Sequence, residues 1–137
     1  MIVLVDTCIW SLALRRKVVV DHLIVGEFKE LINEVRVSII GPIRQEILSG
    51  IASPNQFKKL RTQLSAFPDL ELQQSDFEKA ADIHNRCRAQ GIQGSNTDFL
   101  ICAVAISNNI PIFTVDNDFS LFQKVVAIQL HLPRTQS

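Results

Sequence analysis

The chain alternates short apolar segments with longer segments of helical periodicity, and this alternation restricts its fold more than any other feature. Segment 2–5 is continuously apolar and rich in β-branched residues, which is typical of a strand buried on both faces of a parallel sheet. Segment 111–115 is a second short segment that is mostly apolar. Between such segments, apolar residues recur at intervals of three and four, which predicts helices that pack on the sheet. The alternation therefore predicts an α/β fold, a three-layer α/β/α sandwich around a mainly parallel sheet of about five strands.

The predicted elements span the whole chain. Its 137 residues suit one hydrophobic core, so we expect a single domain over residues 1–137. We expect strands at 2–5, 35–40, 70–72, 111–115 and 127–132. We expect helices at 7–16, 19–34, 41–49, 54–67, 76–90 and 97–108, and a short one from residue 119.

Composition excludes several classes of protein. Hydrophobic residues make up 47% and charged residues 20% of the chain, which excludes a disordered protein. No apolar run approaches the ~20 residues of a membrane span. The apolar opening is interrupted by Asp6 and has no basic flank, so we do not expect a signal peptide. Three cysteines without a CxxC pair favour a reducing compartment, and we expect a cytoplasmic protein.

Acidic residues follow the two most apolar predicted strands. Asp6 follows strand 2–5 and Asp116 follows strand 111–115. In a parallel α/β sheet, ligands bind at the carboxyl ends of the strands where the strand order reverses. If these two strand ends meet on one edge, the helix-borne Glu46 and Asp98 are placed to complete a ring of carboxylates.

A ring of carboxylates needs a counter-charge. Two carboxylates ~4 Å apart repel by about 4 kcal/mol at an effective dielectric of 20, so such a cluster implies a bound cation or protonated acids. Ligands that are all oxygen, with no His or Cys spacing typical of zinc, favour Mg²⁺ or Mn²⁺. Phosphodiester hydrolysis is a reaction that suits such an ion.

Each of these acids also has a local structural explanation. Asp6 is a suitable N-cap for the helix that follows it. Glu46 is compatible with an exposed helix position, and residues 95–98 have the form of a capping box that uses Asp98. Residues 116–118 are typical of an Asx-rich turn. The local explanations are individually good, but they do not account for the joint placement of the acids.

The ordered set of these segments resembles the PIN domain over nearly the whole chain. It is most similar to the small bacterial form, the VapC-type toxin ribonucleases of type II toxin–antitoxin pairs. The resemblance rests on Asp6-Thr7 with Trp10, on Glu46 in a helix opened by Pro42, on the segment Thr97-Asp98-Phe99-Leu100-Ile101, and on the segment from Ile112 through Thr114 and Asp116 to Asp118-Phe119.

The resemblance implies an endoribonuclease that depends on Mg²⁺ or Mn²⁺ and acts on an RNA substrate. It also implies a homodimer and a cognate antitoxin protein that inserts a segment, frequently with an arginine, into the acidic pocket. By the same resemblance, Asp6, Glu46, Asp98 and Asp116 are the catalytic, metal-centred acids, Asp118 is an additional metal ligand, and Thr7 and Thr114 are supporting hydroxyls.

Three alternatives to a toxin ribonuclease stay open. A PIN nuclease without a toxin role would act in RNA processing. A receiver-like domain would phosphorylate an Asp at a strand end, but it usually has paired acids after the first strand and a late lysine, whereas Thr7 follows Asp6 and no lysine lies near Asp116. A non-enzymatic RNA-binding or protein-binding module would use the acids only as helix caps.

The net charge of zero is compatible with an RNA partner. Lys plus Arg and Asp plus Glu are 14 each. If Asp6, Glu46, Asp98 and Asp116 are committed to a metal site, ten acids remain and the rest of the surface is nominally +4. Basic residues cluster at three places, each of which also suits a solvated helix face. The clusters are Arg15-Arg16-Lys17, which we prefer as the RNA-binding cluster, Lys58-Lys59 with Arg61, and Arg86 with Arg88.

Overall fold

A parallel sheet forms the centre of the protein. The structure is a computed structural model that describes residues 1–14 and 22–134. Its strands are β1 (Val3–Val5), β2 (Val37–Ser38) and β3 (Ile112–Phe113), and the strand order is β2-β1-β3. Both pairings are parallel. Because β1 lies between the other two strands, its carboxyl end lies beside that of β3.

Two further segments pair with the sheet through single parallel bridges, Ile39 with Asp69 and Ile112 with Leu130. The bridge at Leu130 lies within the strand predicted at 127–132, and the bridge at Asp69 lies one residue before the strand predicted at 70–72. The predicted α/β fold is confirmed, but each of these two strands is reduced to a single bridge. The pairing ends early for local reasons. The Gln73 backbone N–H is used by the first turn of the next helix, and Pro133 has no N–H to donate.

Seven helices are present in the described part of the chain, and they agree with the predicted helices. None of them is long and apolar enough to cross a membrane. The predicted helices 7–16 and 19–34 extend into residues 15–21, which lie outside the described residues. The helices are α1 (Thr7–Leu14), α2 (His22–Asn33), α3 (Gly41–Leu48), α4 (Pro54–Leu64), α5 (Gln74–Ala89), α6 (Asn96–Asn108) and α7 (Asp118–Phe122).

Helix α6 is the central helix of the core. Every residue from 99 to 105 is buried, as its continuous apolar sequence requires. A capping box defines its start: the Asp98 backbone N–H donates to Ser95 Oγ (3.1 Å), and Asp98 Oδ2 accepts from the Ser95 N–H (3.0 Å). Asn109 ends the helix in the left-handed conformation (φ 53°). The cap fixes the position of the Asp98 carboxylate.

Helix α1 is held against the sheet by its tryptophan. The Trp10 ring makes edge contacts with Phe28 and Phe67 at centroid distances of 4.8 and 5.0 Å. Its Nε1 donates a hydrogen bond to the Val5 carbonyl (3.2 Å). The start of α1, and therefore Asp6, is fixed relative to β1.

The end of the described chain is tied to α2 by a buried carboxylate. Glu27 on α2 is 5% exposed; its Oε2 lies 2.6 Å from His131 Nε2, and its Oε1 accepts from Arg134 Nε (2.9 Å). Arg134 also forms two hydrogen bonds with Glu34. Burial raises the pKa of Glu27, but its hydrogen bonds to His131 and Arg134 outweigh burial and leave that pKa below its usual range. Arg134 lowers the pKa of Glu34 to about 2.

We expect Glu27→Gln to lower the free energy of unfolding by about 2 kcal/mol at pH 7, because hydrogen bonds to a charged group are lost in a buried site. The folded-state pKa of Glu27 is lowered, so its stabilisation is present above the unfolded pKa of ~4.3 and is lost as the pH falls. The difference between variant and wild type should therefore shrink at pH 3. Urea unfolding at both pH values measures it, with Glu30→Gln, an exposed glutamate on the same helix, as the matched control. Equal destabilisation by both variants would contradict the prediction.

Candidate metal centre

Asp6 is the buried centre of the site at the carboxyl ends of β1 and β3. It is 6% exposed, and three donors hold its carboxylate. Oδ1 accepts from the Thr7 backbone N–H (2.8 Å), and Oδ2 accepts from Thr114 Oγ1 (2.8 Å) and from the Cys8 thiol (3.4 Å). A buried carboxylate that accepts several hydrogen bonds is held in one orientation.

Thr114 connects the acid after β1 to the acids after β3. Its hydroxyl donates to Asp6 and accepts from the Asp116 backbone N–H (3.0 Å). Asp116 Oδ1 in turn accepts from the Asp118 N–H (2.9 Å) at the start of α7. One chain of hydrogen bonds therefore sets the relative positions of Asp6, Asp116 and Asp118.

Three carboxylates meet beside this chain of hydrogen bonds. Asp98, Asp116 and Asp118 each offer one oxygen, and these oxygens all lie within 4.8 Å of one another. Asp98 comes from the first turn of α6, Asp116 from the segment between β3 and α7, and Asp118 is the first residue of α7. Their spacing allows one small cation to contact all three.

Glu46 on α3 lies on the other side of Asp6. Its Oε1 accepts a hydrogen bond from Thr7 Oγ1 (3.2 Å). Burial raises the pKa of Glu46, and the charges of Asp6 and Asp98 raise it further, although the Thr7 hydrogen bond opposes both. Glu46 therefore lies within the negative field of the same cluster.

Asp98 lies in the negative field of the neighbouring acids. Burial raises the pKa of Asp98 first, and the charges of Asp6 and Asp116 add to it, while the two hydrogen bonds with Ser95 oppose the rise. Ionised carboxylates this close together repel unless a cation neutralises them. The donor set consists of hard oxygen ligands and therefore fits Mg²⁺ or Mn²⁺.

The structure brings together seven of the predicted site residues: the five acids and the two threonines. The predicted RNA-binding cluster lies outside the described residues. Whether the seven residues act as metal ligands and catalytic groups stays a prediction. The seven residues are Asp6, Thr7, Glu46, Asp98, Thr114, Asp116 and Asp118. The three residues of the predicted RNA-binding cluster, which lie outside the described residues, are Arg15, Arg16 and Lys17.

The local capping roles are present as well, and they leave ligand atoms available. Asp98 uses Oδ2 to accept from Ser95, and Asp116 uses Oδ1 to accept from Asp118. Each carboxylate has a second oxygen, so capping and metal binding are compatible. Glu46 lies in the last turn of α3, and among the described residues its side chain caps no helix but accepts a hydrogen bond from Thr7.

Cys8 is a member of the site that the sequence did not reveal. Cysteines commonly occupy small buried hydrophobic positions, and Cys87 and Cys102 do so here. By contrast, Cys8 Sγ contacts Asp6 Oδ2 and Thr114 Oγ1, each at 3.4 Å. Burial and the Asp6 charge raise the pKa of the Cys8 thiol, so it stays protonated and donates to Asp6. The only available signal was its place two residues after Asp6.

We expect Cys8→Ala to weaken Mn²⁺ binding by about 10-fold, because Asp6 loses a donor that orients it, as outer-shell partners of metal ligands do. Cys8→Ser retains a donor of similar size and should bind Mn²⁺ nearly as the wild type does. Isothermal titration calorimetry measures both affinities. Unchanged Mn²⁺ affinity in Cys8→Ala would show that the thiol does not position Asp6.

Sequence comparison assigns the class of protein that this fold and site define. Residues 3–125 match the model of the PIN domain family, and the chain belongs to that family. The chain is 30% identical over 131 residues to VapC ribonuclease Mb1587 of Mycobacterium bovis and, to the same extent, to ribonuclease VapC11 of Mycobacterium tuberculosis. Each alignment covers 93% of this chain and 96% of the relative.

Solved structures show the same fold. VapBC2 from Rickettsia felis, bound to a DNA fragment from its promoter, matches with a TM-score of 0.75 at 18% identity and covers 96% of this chain and 98% of that chain. FitAcB from Neisseria gonorrhoeae matches with a TM-score of 0.71 at 17% identity and covers 95% and 97%. At these identities the likeness establishes the architecture, and it agrees with the predicted PIN-like sandwich.

Proposed function

We propose that this protein is an endoribonuclease that depends on a divalent metal ion and hydrolyses phosphodiester bonds in RNA. The observation that carries the proposal is the meeting of Asp6, Glu46, Asp98 and Asp116 where β1 and β3 end, in a chain 30% identical to VapC ribonucleases. The opposing view that these acids serve only as helix caps does not account for Glu46.

Asp98, Asp116 and Asp118, with Asp6 beside them, are the residues that would hold Mg²⁺ or Mn²⁺. Such an ion, when bound, stabilises the negative charge that develops on phosphate oxygens during hydrolysis. Thr114 holds Asp6 and Asp116 in register through its hydroxyl. The protein therefore enters the reaction with its ligands already oriented.

Glu46 is the residue best suited to move a proton. Thr7 fixes the carboxylate by donating to Oε1, and within the described residues no hydrogen bond to Oε2 is present. The raised pKa of Glu46 makes it a stronger base than a glutamate with no acidic neighbours. We assign to Oε2 the role of accepting a proton from the attacking water.

We further propose that the protein is the toxin of a toxin–antitoxin pair. Its support is the similarity to VapC ribonucleases, together with the fold that it shares with the solved complexes named above. A cognate antitoxin, a homodimer, a cytoplasmic location and a single domain over residues 1–137 belong to this proposal. The acidic pocket around Asp98 and Asp116 suits an arginine supplied by the antitoxin.

Two measurements test the proposal. Purified protein should cleave fluorescent single-stranded RNA with Mn²⁺ and stop when EDTA is added, and its expression should arrest growth unless Asp6→Ala is introduced. Cleavage without growth arrest would favour a nuclease of RNA processing. The absence of both Mn²⁺ binding and RNA cleavage would favour a non-enzymatic binding module. Formation of phosphoaspartate from a small phosphodonor would favour a receiver-like domain.

A further inference from the structure

An open groove of about 560 Å³ runs from Glu46 along α4. Its walls come from α1, α3 and α4, and Glu46 belongs both to the groove and to the carboxylate cluster. The groove therefore reaches the candidate metal centre at Glu46. The lining residues that carry the argument are Ser11, Ile47, Gln56, Lys59, Leu60 and Gln63.

One face of α4 supplies half of the polar residues that line the groove. Gln56, Lys59 and Gln63 are separated by three and four residues, which places them on the same side of a helix. Lys58 is adjacent in sequence but points about 100° away around the helix, and it does not line the groove. Lys59 is the one cation and Glu46 the one acid among the described residues that line it.

This lining has the chemistry that a nucleotide needs. Glutamine amides donate to and accept from the edges of unpaired bases, and the apolar side chains of Ile47 and Leu60 offer a surface for a base or a ribose. An ammonium group such as that of Lys59 pairs with a backbone phosphate. Ligand pockets of this size, within the range of roughly 300–1,000 Å³, hold small organic ligands rather than a nucleic-acid duplex.

We propose that this groove binds the single-stranded RNA nucleotides that flank the scissile phosphate, with Lys59 on the backbone and Gln56 and Gln63 on base edges. The inference rests on the proposed ribonuclease function and extends it. A strand that occupies the groove and continues past Glu46 brings its next phosphate to the Asp98–Asp116 side of the site. The groove therefore holds the substrate beside the cluster, where acids alone would repel it.

Two single-charge variants on the same helix test the role of Lys59. Lys59→Gln should raise KM for a single-stranded oligoribonucleotide about 10-fold and leave kcat within twofold, because a phosphate contact far from the reacting atoms contributes to binding alone. It should also reduce the slope of log KM against log salt concentration by about 0.7. Lys58→Gln removes the same charge and should change neither quantity.

The possible results separate this proposal from the function on which it rests. If the wild type cleaves RNA and the two lysine variants behave alike, the groove proposal is overturned and the ribonuclease stands. If the wild type cleaves no RNA, anisotropy with the labelled oligoribonucleotide in EDTA decides: weaker binding by Lys59→Gln alone supports the groove, and equal binding overturns it. RNA binding unchanged by Lys59→Gln, with weakened binding of a partner protein, would assign the groove to that protein and also overturn the proposal.

The glutamines provide an independent test of base contacts. Gln56→Ala and Gln63→Ala should change the sequence preference of cleavage, measured by mapping fragment ends of a long RNA, because amides that contact bases discriminate among them. Gln45→Ala, an exposed glutamine on α3 that does not line the groove, is the control. Identical fragment maps for all three variants and the wild type would overturn the assignment of base contacts.

Discussion

Asp6→Asn is expected to reduce Mn²⁺-dependent RNA cleavage by about 10³-fold while the protein stays folded. Asp6 is the most buried acid of the cluster, and its charge acts on both Glu46 and Asp98. An amide in its place neither neutralises a cation nor keeps the same field over the site, and the loss of one preorganised electrostatic group costs on the order of 10²–10³ in rate. Cleavage of a fluorescent RNA under saturating Mn²⁺ measures the loss.

The variant is expected to fold because asparagine has the same shape. Its side-chain oxygen still accepts from the Thr7 N–H, which the Asp6 Oδ1 does in the wild type, and a buried charge is removed rather than added. Circular dichroism and urea unfolding check the fold. Asp82→Asn, an exposed acid on α5, removes the same charge and should retain full activity. Cleavage by Asp6→Asn at more than a tenth of the wild-type rate would contradict the role given to Asp6.

The approach of Asp6 and Asp116 was predictable from the sequence because it depends on backbone topology. Two apolar strands of a parallel sheet end at the same edge, and the observed register pairs Val5 with Phe113 just before the two acids. The capping box before α6 was also predictable, since residues 95–98 carry its pattern locally. The contribution of Glu46 was less predictable, because nothing in its local sequence distinguishes it from other helical glutamates. Only the resemblance to the PIN domain assigned it to the site.

The remaining features depend on contacts between distant parts of the chain. The hydrogen bond from Thr114 to Asp6 spans 108 residues, and the one between His131 and Glu27 spans 104. No periodicity encodes such pairs. The burial of Glu27 on α2 is contrary to the usual exposure of glutamate, and the sequence analysis makes no prediction for it. The predicted lengths of strands 70–72 and 127–132 were wrong because local features end the pairing: the Gln73 N–H bonds to Asp76, and Pro133 has no N–H.

Divalent metal is expected to control both activity and stability. EDTA should abolish cleavage, and adding Mn²⁺ should restore it, because none of the salt bridges among residues 1–14 and 22–134 involves the five acids. Mn²⁺ at about 100 times its dissociation constant should raise the free energy of unfolding by about 2.7 kcal/mol, since an ion that binds only the folded state stabilises it by mass action. Thermal and urea unfolding with Mn²⁺ and with EDTA measure the difference.

Asp98→Asn is expected to remove most of this response and to stabilise the metal-free protein. The pKa of Asp98 is raised in the folded state, so the folded protein binds that proton more tightly than the unfolded chain does. Ionisation of Asp98 therefore costs stability, and this cost grows as the pH rises from the unfolded pKa of ~3.9 through the higher folded-state pKa. An asparagine carries no charge to repel Asp6 and Asp116, and its side-chain oxygen still accepts from Ser95.

The two effects have opposite signs in the same variant, and this distinguishes a metal site from a set of helix caps. With EDTA at pH 7, Asp98→Asn should be more stable than the wild type. With Mn²⁺ the order of stability should reverse, because the ion binds and stabilises the wild type alone. Lowering the pH to 5 should shrink the Mn²⁺ effect on the wild type, since protons compete with the ion for Asp98 and Glu46, whose pKa values are raised. Asp82→Asn should respond to Mn²⁺ as the wild type does. If Asp98 served only as a cap, Asp98→Asn would be no more stable than the wild type in EDTA, and Mn²⁺ would act on both proteins alike.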